Sequence, residues 1–127
     1  MTELKYTTDN VELIQEFLDE TKRRIAKGVD LTFTNGVKDQ IEDLAMDYDL
    51  DTADIIKAIL DLTAENYYQG LDASPKNDYQ VCAFCTTVGI EKVEIYLKYG
   101  LQKQGLEILL FSCHIPDFPI TQPFKIK

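Results

Sequence analysis

Few residues in this chain have the types and spacing to do chemistry. The one histidine, His114, ends the run LEILLFSCH directly after Cys113. Histidine changes charge near neutral pH, so His114 is open to three readings: a general acid or base, a metal ligand, or a strand-end residue with no chemical duty. Two more cysteines form CAFC, Cys82 and Cys85. With Cys113 and His114 they offer the ligand types of a zinc site. Residues three apart in a strand face opposite sides, however, and no Gly or Pro supplies the knuckle that would bring these two together. Small buried hydrophobes is the better account of all three cysteines. Their odd number, in a chain long enough to build its own core, argues for free thiols in a reducing compartment over a disulfide framework.

The elements that must position these residues are set by hydrophobic period. A helix is expected from about residue 8 to 27, opened by Asp9 with Glu12 three residues later and closed by Gly28; Val11, Ile14, Phe17, Leu18, Thr21 and Ile25 form its apolar stripe. VDLTFTNG has the β-branched and aromatic character of a short strand, with Thr34 or Asn35 able to cap a helix after it. Val37, Ile41 and Leu44 predict that second helix over about 36–46, and DYDLDT breaks it. Asp51 or Thr52 then caps a third, ADIIKAILDL, whose crowded Ile55, Ile56, Ile59, Leu60 and Leu62 predict burial on more than one side.

After Tyr67 the texture changes. YYQGLDASPKND reads as a connecting loop, followed by three strand-like runs, YQVCAFCTTV, KVEIYLKYG and LEILLFSCH. Their short links favour an antiparallel meander. In the middle run Val93, Ile95, Leu97 and Tyr99 point one way, and Glu94, Tyr96 and Lys98 the other. The expected class is α+β: N-terminal helices packed on a small antiparallel sheet whose second face is open. The tail IPDFPITQPFKIK, residues 115–127, holds three prolines and reads as an extended arm of the single domain.

Bulk composition bounds the function. With 127 residues, 45% hydrophobic and 28% charged, one domain with its own core is expected. No apolar run is long enough for a membrane span and the N-terminus lacks the layout of a secretory signal, so a cytoplasmic location and no membrane partner are expected. The net charge of −9 opposes nucleic-acid binding, which draws its affinity from Lys and Arg. That charge lies in one half. Met1–Gly70 carries 16 acids against seven bases, whereas Leu71–Lys127 has six of each. The acidic half reads as solvated helix faces or as a surface for a basic partner.

The order AILDLTAENYYQG, VEIYLKYG, ILLFSCHIPDFP resembles the MqsR family of type II toxins over nearly the whole chain. The resemblance implies a RelE-like fold and a messenger RNA endoribonuclease neutralised by a cognate antitoxin protein. Carried over one position at a time, it implies catalytic roles for Tyr96, for His114 and for Gln80, the last with a looser spacing. The family's turn lysine falls on Gln69, which offers phosphate a hydrogen bond in place of a full charge. Neutralising phosphate is then left to Lys76, Lys98, Lys103, Lys125 or Lys127. RNA cleavage of this kind uses no cofactor or metal: a base takes the 2′-OH proton, an acid protonates the 5′-oxygen, and cations stabilise the pentacoordinate phosphate. In this scheme His114 is the acid or base, Tyr96 orients phosphate or assists proton transfer, Gln80 and Gln69 supply hydrogen bonds, and Lys98 contacts phosphate. The rival expectation is a catalytically weak or inactive domain of the same fold that binds a protein partner. Tyr67 and Tyr68 read as packing residues at the turn.

Overall fold

The structure, a computed structural model, describes residues 7–71 and 78–116. The distal arm from residue 117, with Lys76, Lys125 and Lys127, lies outside the described residues. The element order is α1 (Val11–Ala26), β1 (Leu31–Phe33), α2 (Asn35–Tyr48), α3 (Thr52–Leu60), a short 3₁₀ turn (Ala64–Asn66), β2 (Tyr67–Gly70), β3 (Tyr79–Val88), β4 (Val93–Gln102) and β5 (Ile108–His114). No helix among the described residues is long and apolar enough to cross a membrane.

Local chemistry explains where the helices begin and end. Asn10, rather than Asp9, caps α1 by accepting from the Leu13 N–H at 3.2 Å. Asp51 and Asp54 form a reciprocal capping box at α3, each side chain accepting the other's backbone N–H at 3.0 Å. α2 ends where Asp49 turns left-handed at φ 58° and donates its N–H to the Ala45 carbonyl, while the Leu50 N–H reaches back to the Leu44 carbonyl.

The class is α+β, with the helices preceding most of the sheet. The sheet is mixed and five-stranded, in the order β1-β5-β4-β3-β2. β2 through β5 pair antiparallel, as the short links favour, but β1 joins β5 in parallel, so the sheet is not purely antiparallel. β1 and β5 are separated by most of the chain, and the intervening elements provide the crossover that parallel pairing requires. YYQG, expected as loop, is the edge strand β2.

One face of the sheet meets the helices. Phe17 and Leu18 of α1, Val37 and Leu44 of α2 and Ile55 and Ile59 of α3 close over Phe84, Leu97, Tyr99 and Leu110. Phe17 packs its ring 5.2 Å from Tyr99, which is itself stacked 5.8 Å from Phe84. The Tyr99 hydroxyl needs a partner at this depth. Thr21 Oγ1 donates its single proton to the Phe17 carbonyl at 2.9 Å, so it accepts from Tyr99 across the 2.9 Å contact. Arg24 ties α1 to the β4–β5 turn: its guanidinium donates to the carbonyls of Gln102 and Glu107 and to Glu20 Oε2. The second face is not open throughout, because Ala83, Cys85, Lys98 and Ser112 are all buried there.

Candidate functional site

Strand parity alone would scatter the candidate residues; two β-bulges gather them. In β5, Ile108 and Leu110 face the helices, and simple alternation would turn Ser112 and His114 the same way. The register slips between Lys98 and Tyr99, however: Ser112 pairs with Lys98 while Leu110 pairs with Tyr99, leaving Phe111 as the extra residue. Cys113 therefore enters the core beside Leu97, and His114 comes to lie opposite Tyr96 on the other face. Phe111 itself rests over Gly100, where a Cβ would come within 3.2 Å of its ring, and edge-on to Tyr79 at 6.4 Å. In β2 the same device operates at Tyr68. Tyr67 pairs with the core residue Phe84 whereas Gln69 pairs with Ala83, so Gln69 also turns to the face of Tyr96.

Two rows of side chains result, one strand spacing apart at each step. The first runs Gln69, Ala83, Lys98, Ser112 and the second Cys85, Tyr96, His114. The Tyr96 and His114 rings stack with centroids 5.2 Å apart and planes 29° from parallel. Tyr68 stands edge-on to Tyr96 at 6.1 Å, so the two turn tyrosines differ: Tyr67 is a core residue and Tyr68 belongs to this surface. His114 Nδ1 lies 2.8 Å from the Ile115 carbonyl. A carbonyl only accepts, so Nδ1 carries the proton and Nε2 of the neutral ring keeps the lone pair. The backbone of this strand end is held by α2, whose Gln40 side chain accepts the Cys113 N–H at 2.7 Å just past the end of β1.

Of the five residues expected to act together, four share this face. His114 and Tyr96 are half-buried, Gln69 sits at the β2 edge, and Lys98 is on the same face but only 4% exposed. Gln80 is not with them. It pairs with Leu101 on the helix-packed side, five residues from Cys85 along an unbroken register, or about 17 Å along the strand. Lys103 lies past the end of β4, in the turn at the opposite end of the strand. The members of the site that sequence reasoning missed are Tyr68 and Ser112. The out-of-phase apolar residues Phe111 and Cys113, after Ile108 and Leu110, are the only trace of the bulge in the sequence.

The zinc alternative fails on geometry. Cys82 and Cys113 point into the helix-packed core while Cys85 and His114 lie across the sheet from them. Cys85 Sγ is instead directed at Glu94 Oε1, 3.7 Å away. Among the described residues no group of three or more His, Cys, Asp or Glu is placed to hold a metal ion.

What remains is a partly buried face with a proton acceptor at His114 Nε2, the Tyr96 hydroxyl, the Gln69 amide, the buried Ser112 hydroxyl and the three neighbouring rings of Tyr68, Tyr96 and His114. Such a surface can move a proton and stack against planar groups. Comparison of the chain with protein-family models, with curated proteins and with solved structures returned no match in any of the three.

Proposed function

We propose that the protein is the toxin component of a type II toxin-antitoxin pair, an MqsR-like endoribonuclease that cuts messenger RNA without a metal and is neutralised by a cognate antitoxin. The observation that carries this reading is the stacked, cross-strand pair of Tyr96 and His114, with an imidazole whose Nε2 is left as the proton acceptor. In this mechanism the 2′-OH proton of a bound ribonucleotide passes to His114 Nε2 and the 2′-oxygen attacks the adjacent phosphorus; the bond from phosphorus to the 5′-oxygen breaks, and the departing oxygen takes a proton from water. Tyr96 orients the phosphate and Gln69 hydrogen-bonds to it. Lys98 supplies the nearby positive charge that disperses the phosphorane's build-up. Gln80 has no part, because it lies across the sheet.

The test is induced expression of wild type and His114→Ala side by side, with growth and RNA integrity measured, and cleavage by the purified proteins. The expected result is growth arrest and messenger RNA loss in the wild type, with cleavage about a hundredfold or more slower in the variant. A folded wild type that leaves RNA intact removes the nuclease reading. The second reading, a weak or inactive domain that binds a protein partner, is favoured by the burial of Lys98, which leaves this face without an exposed cation among the residues of its two rows.

A further inference from the structure

On the helix side of the molecule, away from Tyr96 and His114, the end of α2, the first turns of α3 and the β3–β4 turn enclose two adjoining hollows of about 350 and about 250 Å³. Asp54, Val88, Gly89 and Ile90 line both. The floor is apolar, made by Val88 with Ala58 on one side and Leu50 on the other. Ile90 stands at the lip with its side chain wholly in solvent, and Tyr48 is 41% exposed beside it. Turn tips ordinarily carry Gly, Asn, Asp or Ser, so an isoleucine there is placed for contact rather than for the turn.

The charge around the groove selects its occupant. Asp49, Asp54, Asp61 and Glu91 line it against the single base Lys57. The C-terminal turn of α2 adds to this field. It carries no base, and Asp47 and Asp49 stand where the exposed carbonyls already make a negative pole and a Lys or Arg would be favourable. We propose that this groove docks a polypeptide segment in which an apolar anchor is flanked by lysine or arginine. The anchor fills the hollow beside Ile90, and the flanking cations meet the acidic rim and the α2 terminus. Nucleic acid is excluded by like charge. This inference does not rest on the nuclease reading, since the groove is lined at the β3–β4 hairpin end by none of Gln69, Tyr96, Lys98, Ser112 or His114.

The experiment titrates the isotope-labelled full chain with three short synthetic peptides, one of leucine and lysine, one of glycine and lysine and one of leucine and glutamate, monitoring backbone amides. The leucine–lysine peptide is expected to shift Gly89, Ile90 and the first turn of α3, to weaken with salt, and to bind about tenfold less tightly to Ile90→Ser and to Glu91→Gln. Equal binding of the glycine–lysine peptide, shifts elsewhere, or unchanged affinity in Ile90→Ser overturns the proposal. So does self-association of the chain that Ile90→Ser abolishes, which makes a second copy the occupant. RNA cleavage measured on the same samples is expected to be unchanged in Ile90→Ser, so failure of the docking proposal and failure of the nuclease reading give separate readouts.

Discussion

At the scale of single residues, the three cysteines show how the fold silences reactive groups as thoroughly as it presents His114. Burial pushes the Cys82 thiol well above its ordinary range and the Cys113 thiol up to about 12, because a thiolate in the helix-packed core has neither water nor a cation to stabilise it. The native protein near pH 8 is therefore expected to present Cys113 to a disulfide reagent about a thousandfold more slowly than the denatured chain does, and Cys82 more slowly as well. Counting labelled cysteines by mass spectrometry against time checks this, and rapid native labelling of Cys113 would contradict the core placement. His114 shares a strand end with Cys113 and has the opposite surroundings. One residue of chain separates a reactive environment from an inert one, because successive side chains cross the sheet.

At the scale of elements, edge strand β2 is the most demanding piece. Gly70 holds φ at +116°, and a Cβ there would meet the Val81 carbonyl oxygen at 2.5 Å. Both the backbone strain and the clash with main chain oppose any side chain, so Gly70→Ala is expected to cost about 3 kcal/mol or more in urea unfolding. The same substitution also loosens Gln69 and Tyr68, which precede Gly70 in β2. The helices, the meander and the split of Tyr96 from Leu97 are legible in the sequence because each obeys a single period over several residues. β2 is not. Its YYQG has turn residues on its C-terminal side and is stabilised as a strand by pairing with β3, a tertiary effect that local propensity does not carry. Gln80 fails for the opposite reason: motif alignment brings it to the site, while its own strand parity puts it with Cys82 and Phe84. Gln69 is reached only through resemblance and His114 through its residue type and the resemblance together; alternation by itself sends both to the helix side.

At the scale of the whole molecule, α1 and the β4–β5 hairpin are clamped together through one arginine. Arg24 is 7% exposed and satisfied by two hairpin carbonyls and by Glu20, which also pairs with Arg23. The Arg24 hydrogen bond holds the Glu20 carboxyl below the usual carboxylate range. A depressed carboxylate contributes stability above its unfolded pKa and loses it as the pH falls toward the folded value. Wild type is accordingly expected to be more stable than Glu20→Gln near neutrality, with the gap closing on acidification through the ordinary glutamate range; denaturant midpoints across that pH span check the sign. A gap that is constant with pH would show that the clamp does not depend on the carboxylate charge. The bulge at Phe111 has a consequence of another order. Phe111 is the one residue of β5 that the pairing skips, so an in-frame loss of its codon would leave Leu110, Ser112, Cys113 and His114 alternating regularly against Tyr99, Lys98, Leu97 and Tyr96, with the histidine on its present side. Straightening the strand while keeping Phe111 would do the opposite and send His114 to the helix side. The bulge is thus a spacer that the register does not count, and the chemistry at the strand end is tied to pairing partners rather than to distance along the chain.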